Sequence, residues 1–178
     1  MAIGDAMIGR LWALDPAREE DWDALYADQL PRVLNFLRYR IGNVAVAEDL
    51  TSHTFEKAWV ARHRYRRDLA KFSTWLLVIA RNVANDYFRR QRDMVPLEAA
   101  EGVATSQTPE AVAERRADGE QLAVLLARLP ERERELVALK YGSELNNRQI
   151  ARITGLSESN VGTILHRTIQ VLRAGWTE

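Results

Sequence analysis

The chain has 178 residues, 47% hydrophobic and 28% charged, with a formal net charge of zero and no cysteine. That length suits one ordinary domain or two small ones. The missing cysteines exclude disulfides, thiol redox sensing and zinc fingers within the chain and fit a reducing compartment.

The opening residues, MAIGDAMIGRLWALD, lack the basic start and long apolar core of a signal peptide. No apolar run reaches the roughly 20 residues that span a bilayer. A soluble, cytoplasmic protein is expected. Alternating β-branched runs are nearly absent and helical periodicity is nearly continuous, so the fold class is all-α. Two small helical domains joined by a flexible acidic linker are expected. The divisions are 1–18 (an extension with no assignable role), 19–93 (first domain), 94–118 (linker) and 119–178 (second domain).

The first helical segment runs from Glu19 to Ile41 and carries Trp22, Leu25, Tyr26, Leu30, Val33, Leu34 and Leu37. Pro31 lies inside it and predicts a break or kink, because proline removes a hydrogen bond and clashes with the preceding turn. Gly42-Asn43 ends it. The second segment, Val46 to His63, turns Leu50, Thr54, Ala58 and Trp59 inward. The third, Phe72 to Arg92, has a core side of Trp75, Leu76, Ile79, Val83 and Tyr87. Arg81, Asn82, Asn85, Asp86, Arg89, Arg90 and Arg92 project from it.

Zero net charge hides a segregated distribution. From Arg62 to Arg92 there are nine Lys/Arg against two Asp/Glu; from Asp93 to Gln121, two against seven; from Leu122 onward, eight against six. A basic block is the electrostatic footprint of a nucleic-acid partner. Between Met94 and Ala113 two prolines, a glycine and small polar residues interrupt any apolar stripe, which predicts a flexible or extended tether.

The stretch Asn146–Arg173, NNRQIARITGLSESNVGTILHRTIQVLR, reads as a helix-turn-helix. Ile150, Ala151 and Ile153 line one side of a first helix. Gly155 supplies the left-handed backbone of a tight turn. Ser157 is placed as the N-cap of a second helix that starts at Glu158. Val161, Leu165, Ile169 and Leu172 form its apolar stripe. Opposite lie Ser159, Gly162, Thr163, His166 and Gln170, the short polar face that a helix in the major groove presents to base edges. DNA is therefore an expected partner.

Three motifs follow in order: AEDLTSHTFEKAW (Ala47–Trp59), FSTWLLVIARNVANDYFRR (Phe72–Arg90) and LPERERELVALKYGSELNNRQIARITGLSESNVGTILHR (Leu129–Arg167). Together they closely resemble bacterial sigma factors of the sigma-70 family, in the extracytoplasmic-function (ECF) group. The resemblance implies a non-enzymatic subunit of RNA polymerase that carries core enzyme to promoters and promotes melting of the duplex, with no cofactor, metal or catalytic residue. It implies that Asp49, Ser52, His53, Phe55 and Glu56 are exposed contacts for the β′ clamp coiled coil. The family usually has glutamine at Ser52 and an acid at His53. The −10 element falls to Arg62, Tyr65, Arg66, Lys71, Asn82, Asn85, Asp86, Arg89 and Arg90, with Arg64 and Arg67 as further cations. Melted strands need cations along phosphates and polar groups at unstacked bases. The −35 element falls to Arg148, Ser159, Asn160, Gly162, Thr163, His166 and Arg167. The family often carries basic residues at Gly162 and Ile164, so intrinsic affinity for the element is expected to be weak and to depend on tethering. The β flap and an anti-sigma factor are further partners the resemblance implies.

Two other function classes fit parts of the chain. A LuxR-type regulator would share the C-terminal motif, but the N-terminal half has no alternating strand–helix receiver pattern. A helical protein-interaction module would not need the basic block. A metal-dependent hydrolase has only Asp49 and His53, four residues apart, and three histidines in all.

Overall fold

The computed structural model describes residues 22–66, 68–94 and 110–176. The extension 1–18, Arg67 and linker residues 95–109 lie outside the described residues. Every regular element among the described residues is helical. These are α1 (Trp22–Ile41), α2 (Val44–Ala61), a 3₁₀ turn (Arg62–Arg64), α3 (Phe72–Met94), α4 (Glu110–Ala127), α5 (Glu131–Val137), a π-helical turn (Ala138–Gly142), α6 (Asn147–Thr154) and α7 (Glu158–Trp176).

Helix α1 runs through Pro31, so of the break or kink expected there the break does not occur. Proline forfeits one backbone bond, but Pro31 is exposed, so water can serve the freed carbonyl. Both neighbouring turns are held by packing. Val33, Phe36, Leu37 and Arg40 are buried at helical spacing. Gly42 then takes φ +82° to end the helix, and Asn43 caps α2 by accepting the Val46 N–H at 3.1 Å.

Helices α1, α2 and α3 pack on one another as the N-terminal bundle. Leu76, Leu77, Ala80, Val83 and Ala84 of α3 are buried, whereas Trp75, Ile79 and Tyr87 are half-buried. The buried face is thus broader than the expected stripe, because α3 also meets the C-terminal half through α6 and through its contacts with α5. An aromatic group made of Trp22, Trp59, Phe72, Tyr65 and Trp75 closes one end, with ring centroids 5.2 to 5.6 Å apart.

The segment expected to be a tether to residue 118 is helical from Glu110 onward, so α4 crosses that boundary. Its C-terminal half packs against α7, burying Leu125 and Leu126. This is the tertiary override of a stretch whose own pattern is weak. Helices α4 to α7 form the C-terminal bundle. One apolar cluster extends from Val33, Phe36 and Leu37 to Leu136, Leu139, Ile150 and Leu165, so the two bundles share a continuous core.

Candidate nucleic-acid and polymerase interfaces

Helices α6 and α7 form the helix-turn-helix as the sequence implies. Asn146 accepts the Gln149 N–H at 2.9 Å, and the Gln149 side chain accepts the Asn146 N–H at 3.0 Å, a complete capping box. Gly155 adopts φ +75° and no neighbour lies within 4 Å of where a Cβ would sit, so backbone conformation alone selects glycine. Ser157 Oγ accepts the Asn160 N–H at 3.2 Å. Val161 and Leu165 are buried, Ile169 and Leu172 half-buried, and Thr168 joins them by donating its hydroxyl to the Ile164 carbonyl at 2.9 Å.

Ser159, Asn160, Thr163, His166 and Arg167 are all exposed on the outer side of α7. The Thr163 hydroxyl is turned onto the Ser159 carbonyl at 3.0 Å. Gly162 faces α6 and not the outer polar side expected for it: a Cβ there would come 3.3 Å from the side-chain Nδ2 of Asn147. Arg148 is exposed beside Glu158 at 3.5 Å, a loose pair that a phosphate can displace.

On the N-terminal bundle, Asn82, Arg89 and Arg90 are exposed while Asn85 and Asp86 are half-buried along α3. Asp86 lies 2.9 Å from Arg89 and 3.8 Å from Lys57. Arg62 stacks 3.9 Å above the Trp59 ring and donates to its carbonyl at 2.7 Å. Tyr65 is half-buried in the aromatic group and donates its hydroxyl to the Ala70 carbonyl at 3.1 Å. Arg66 grips Asp68 with two bonds of 2.9 and 2.7 Å, which raises the guanidinium pKa and lowers that of the carboxyl. Lys71 is exposed at the start of α3. The described cations Arg62, Arg64, Arg66 and Lys71 precede or begin α3, and Asn82, Arg89 and Arg90 are exposed along it.

Helix α2 presents Asp49, Ser52, His53 and Glu56 to solvent, with His53 Nδ1 3.6 Å from Glu56. Phe55 is not part of that surface: it is 5% exposed and its ring centroid lies 4.4 Å from that of Tyr26. Its position one residue before Glu56 places it on the α1-facing side of the helix, which the motif alone did not separate from the outer side.

A cleft of about 470 Å³ lies where the bundles meet. Asn85 and Arg89 line it together with Arg40, Arg81, Glu131 and Glu135. Sequence reasoning missed Arg40, Glu131 and Glu135. A signal was present: Arg40 interrupts the apolar stripe Val33-Phe36-Leu37, and Glu131 and Glu135 are four apart on one helix face. Among the described residues no group of three or more potential ligands is placed to hold a metal.

The fold and its surfaces define an all-helical protein of two bundles, one carrying a helix-turn-helix and the other a basic stretch. Comparison with known proteins adds the family. Residues 25–93 match the family Sigma-70 region 2, and residues 119–172 match Sigma-70, region 4. The ECF RNA polymerase sigma factor SigM of Bacillus subtilis is 31% identical over 153 residues, 85% of this chain and 93% of that protein. The ECF RNA polymerase sigma factor RpoE of Cereibacter sphaeroides is 30% identical over 154 residues, 86% and 83% respectively. Among solved structures, the sigma factor RpoE of Bartonella quintana, in complex with the anti-sigma factor NepR, has the same fold. Its TM-score is 0.70 at 20% identity, over 89% of this chain and 98% of that one.

The chain belongs to the sigma-70 family, in its ECF group. It is an RNA polymerase sigma factor, a transcription-initiation factor whose regions 2 and 4 bind core RNA polymerase and promoter DNA.

Proposed function

We propose a division of this activity among particular side chains. Residues 19–93 act as region 2 and 119–178 as region 4. The exposed Asp49, Ser52, His53 and Glu56 dock α2 on the polymerase clamp. Arg62, Tyr65, Arg66, Lys71, Asn82, Asn85, Asp86, Arg89 and Arg90 serve the −10 element. Cations at both ends of α3 track phosphates, and the central amides receive unstacked base edges. Arg148 and Arg167 bind phosphates of the −35 duplex, and Ser159, Asn160, Thr163 and His166 meet base edges.

The observation that carries this reading is the asymmetry of α7. Val161 and Leu165 are anchored in the core, while Ser159, Asn160, Thr163, His166 and Arg167 stand exposed on the other side. A solvated helix needs no such run of small polar groups at its leading end.

The chain itself performs no chemistry in this reading; it supplies position and strand capture to the polymerase. Its place of action is the cytoplasm, where core polymerase is. The relative solved with an anti-sigma factor supports an anti-sigma protein as a further partner. Reconstitution with purified core polymerase on a promoter library tests the whole reading. Selective initiation at a subset of promoters is expected; no binding to core enzyme would sink it.

A further inference from the structure

We propose that the arginine-lined cleft is a binding site for a small polyphosphate anion, one with two or more linked phosphates. Five arginines line it, Arg40, Arg81, Arg89, Arg92 and Arg132, against the two carboxylates of Glu131 and Glu135, so positive charge exceeds negative by three. Each carboxylate already has a guanidinium. Glu135 accepts two bonds from Arg81, of 2.8 and 3.4 Å, and Glu131 accepts one from Arg40, of 2.9 Å. The excess therefore sits on Arg89, Arg92 and Arg132, all of them exposed. Arg89 and Arg92 are three apart on α3 and share one side of it, and Arg132 stands across from them on α5. Arg92 is only within 3.9 Å of Glu131, and Arg132 pairs with no carboxylate among the described residues.

A second observation lies at the floor of the cleft. Arg40 is 2% exposed, and its Nε and Nη1 have no hydrogen-bond partner. A buried donor without an acceptor calls for an explanation, and a guanidinium presents its N–H groups in a fork that matches phosphate oxygens. The Phe88 ring, 4.7 Å from the guanidinium, holds that fork in place. A phosphate oxygen reaching the floor would satisfy the donors that Glu131 leaves over.

Charge and size select the ligand class. One phosphate group carries about −1.5 to −2 at neutral pH, short of the three charges in excess, and a second linked phosphate makes up the difference. The volume of about 470 Å³ is that of a small-ligand site. Glu131 is the internal competitor: one of its oxygens meets Arg40 and the other lies toward Arg92, and its side chain is 46% exposed, so it can turn to water when a more highly charged anion arrives. Asn85 and Arg89, proposed above for the −10 element, line the same cleft. Where that assignment holds, the anion and the −10 strand exclude one another.

The test is calorimetric titration of the full chain at constant ionic strength, with inorganic phosphate, pyrophosphate and adenosine diphosphate as probes. Pyrophosphate should bind one to a chain and roughly 10-fold tighter than inorganic phosphate. Arg132→Ala should weaken pyrophosphate binding about 3- to 10-fold, and Glu131→Gln should tighten it by a similar factor. Arg152→Ala, which removes an exposed cation on α6 that does not line the cleft, should change nothing. Damage to the fold would weaken binding, so a gain in Glu131→Gln cannot come from damage; should that variant lose binding, Arg132→Ala decides. Equal affinity for pyrophosphate and adenosine diphosphate assigns the site to free polyphosphate, and a tighter adenosine diphosphate assigns it to the diphosphate of a nucleotide. Pyrophosphate that binds no tighter than phosphate, or that loses as much in Arg152→Ala as in Arg132→Ala, reports only the general pull of a basic surface and overturns the site. So does a single-stranded DNA oligonucleotide that depends on Arg132 where pyrophosphate does not bind, because the cleft is then part of the DNA path. No polymerase enters the titration, so a failure of the sigma reading in reconstitution leaves its outcome standing.

Discussion

Arg40 shows how much a single side chain can commit. A guanidinium 2% exposed is tolerable only with acceptors, yet its Nε and Nη1 have no hydrogen-bond partner and rely on the Phe88 face. Burial and the neighbouring Arg40 charge also lower the pKa of Arg134 on the other side of that ring. Truncation of Arg40 to alanine should therefore cost about 3 kcal/mol in urea unfolding, because Glu135 is left half-paired in the seam. A cost below about 1 kcal/mol would show that the ion pairs are incidental. At the DNA surfaces, single residues should act on function and spare stability. Arg89→Ala with Arg90→Ala should slow promoter opening while leaving core binding intact, read by permanganate footprinting alongside a binding assay. Normal opening would remove the outer side of α3 from the −10 site. Asn160→Ala or His166→Ala should change preference at one or two −35 positions by about 1–3 kcal/mol in a competition assay. Uniform weakening across sequences would reassign them to the phosphate backbone.

The elements differ in how they are held. Helix α6 is short, eight residues, and depends on its ends. Asn146→Ala removes the accepting half of the capping box and should destabilise the C-terminal bundle by about 1 kcal/mol. Thermal unfolding indistinguishable from the parent would mean that packing of Ile150 and Ile153 suffices. Helix α3 is held from both sides, with Leu76, Leu77 and Ala80 fully buried. Leu76→Ala should cost about 2–5 kcal/mol through lost burial and a cavity. Helix α1 illustrates the converse, since an internal proline is accommodated where packing supplies what the backbone lacks. Much of this was legible in the residues. The caps at Asn146 and Ser157, the turn at Gly155 and the polar side of α7 are local chemistry, and local chemistry is written in consecutive positions. The burial of Phe55, the helical start of α4 at Glu110 and the continuity through Pro31 depend on which neighbour arrives, and consecutive positions do not record that.

At the scale of the whole molecule, zero net charge conceals a segregated distribution, with a basic block from Arg62 to Arg92. Binding of the full chain to a −35 duplex should still fall steeply as salt rises, because counterions are released locally and not in proportion to net charge. A flat salt response would argue that α7 makes no phosphate contacts. The amino-acid order alone determined the all-helical class, the helix-turn-helix and the basic block, because each follows from period, composition or short-range turn chemistry, while the family rests on the resemblance of three ordered motifs. The seam was decided only in three dimensions. Arg40 and Glu131 are 91 positions apart, as Gly142 is remote from Asn35. Whether such groups meet depends on how two amphipathic bundles complete one core, and the sum of many weak apolar contacts, not any motif, sets that arrangement.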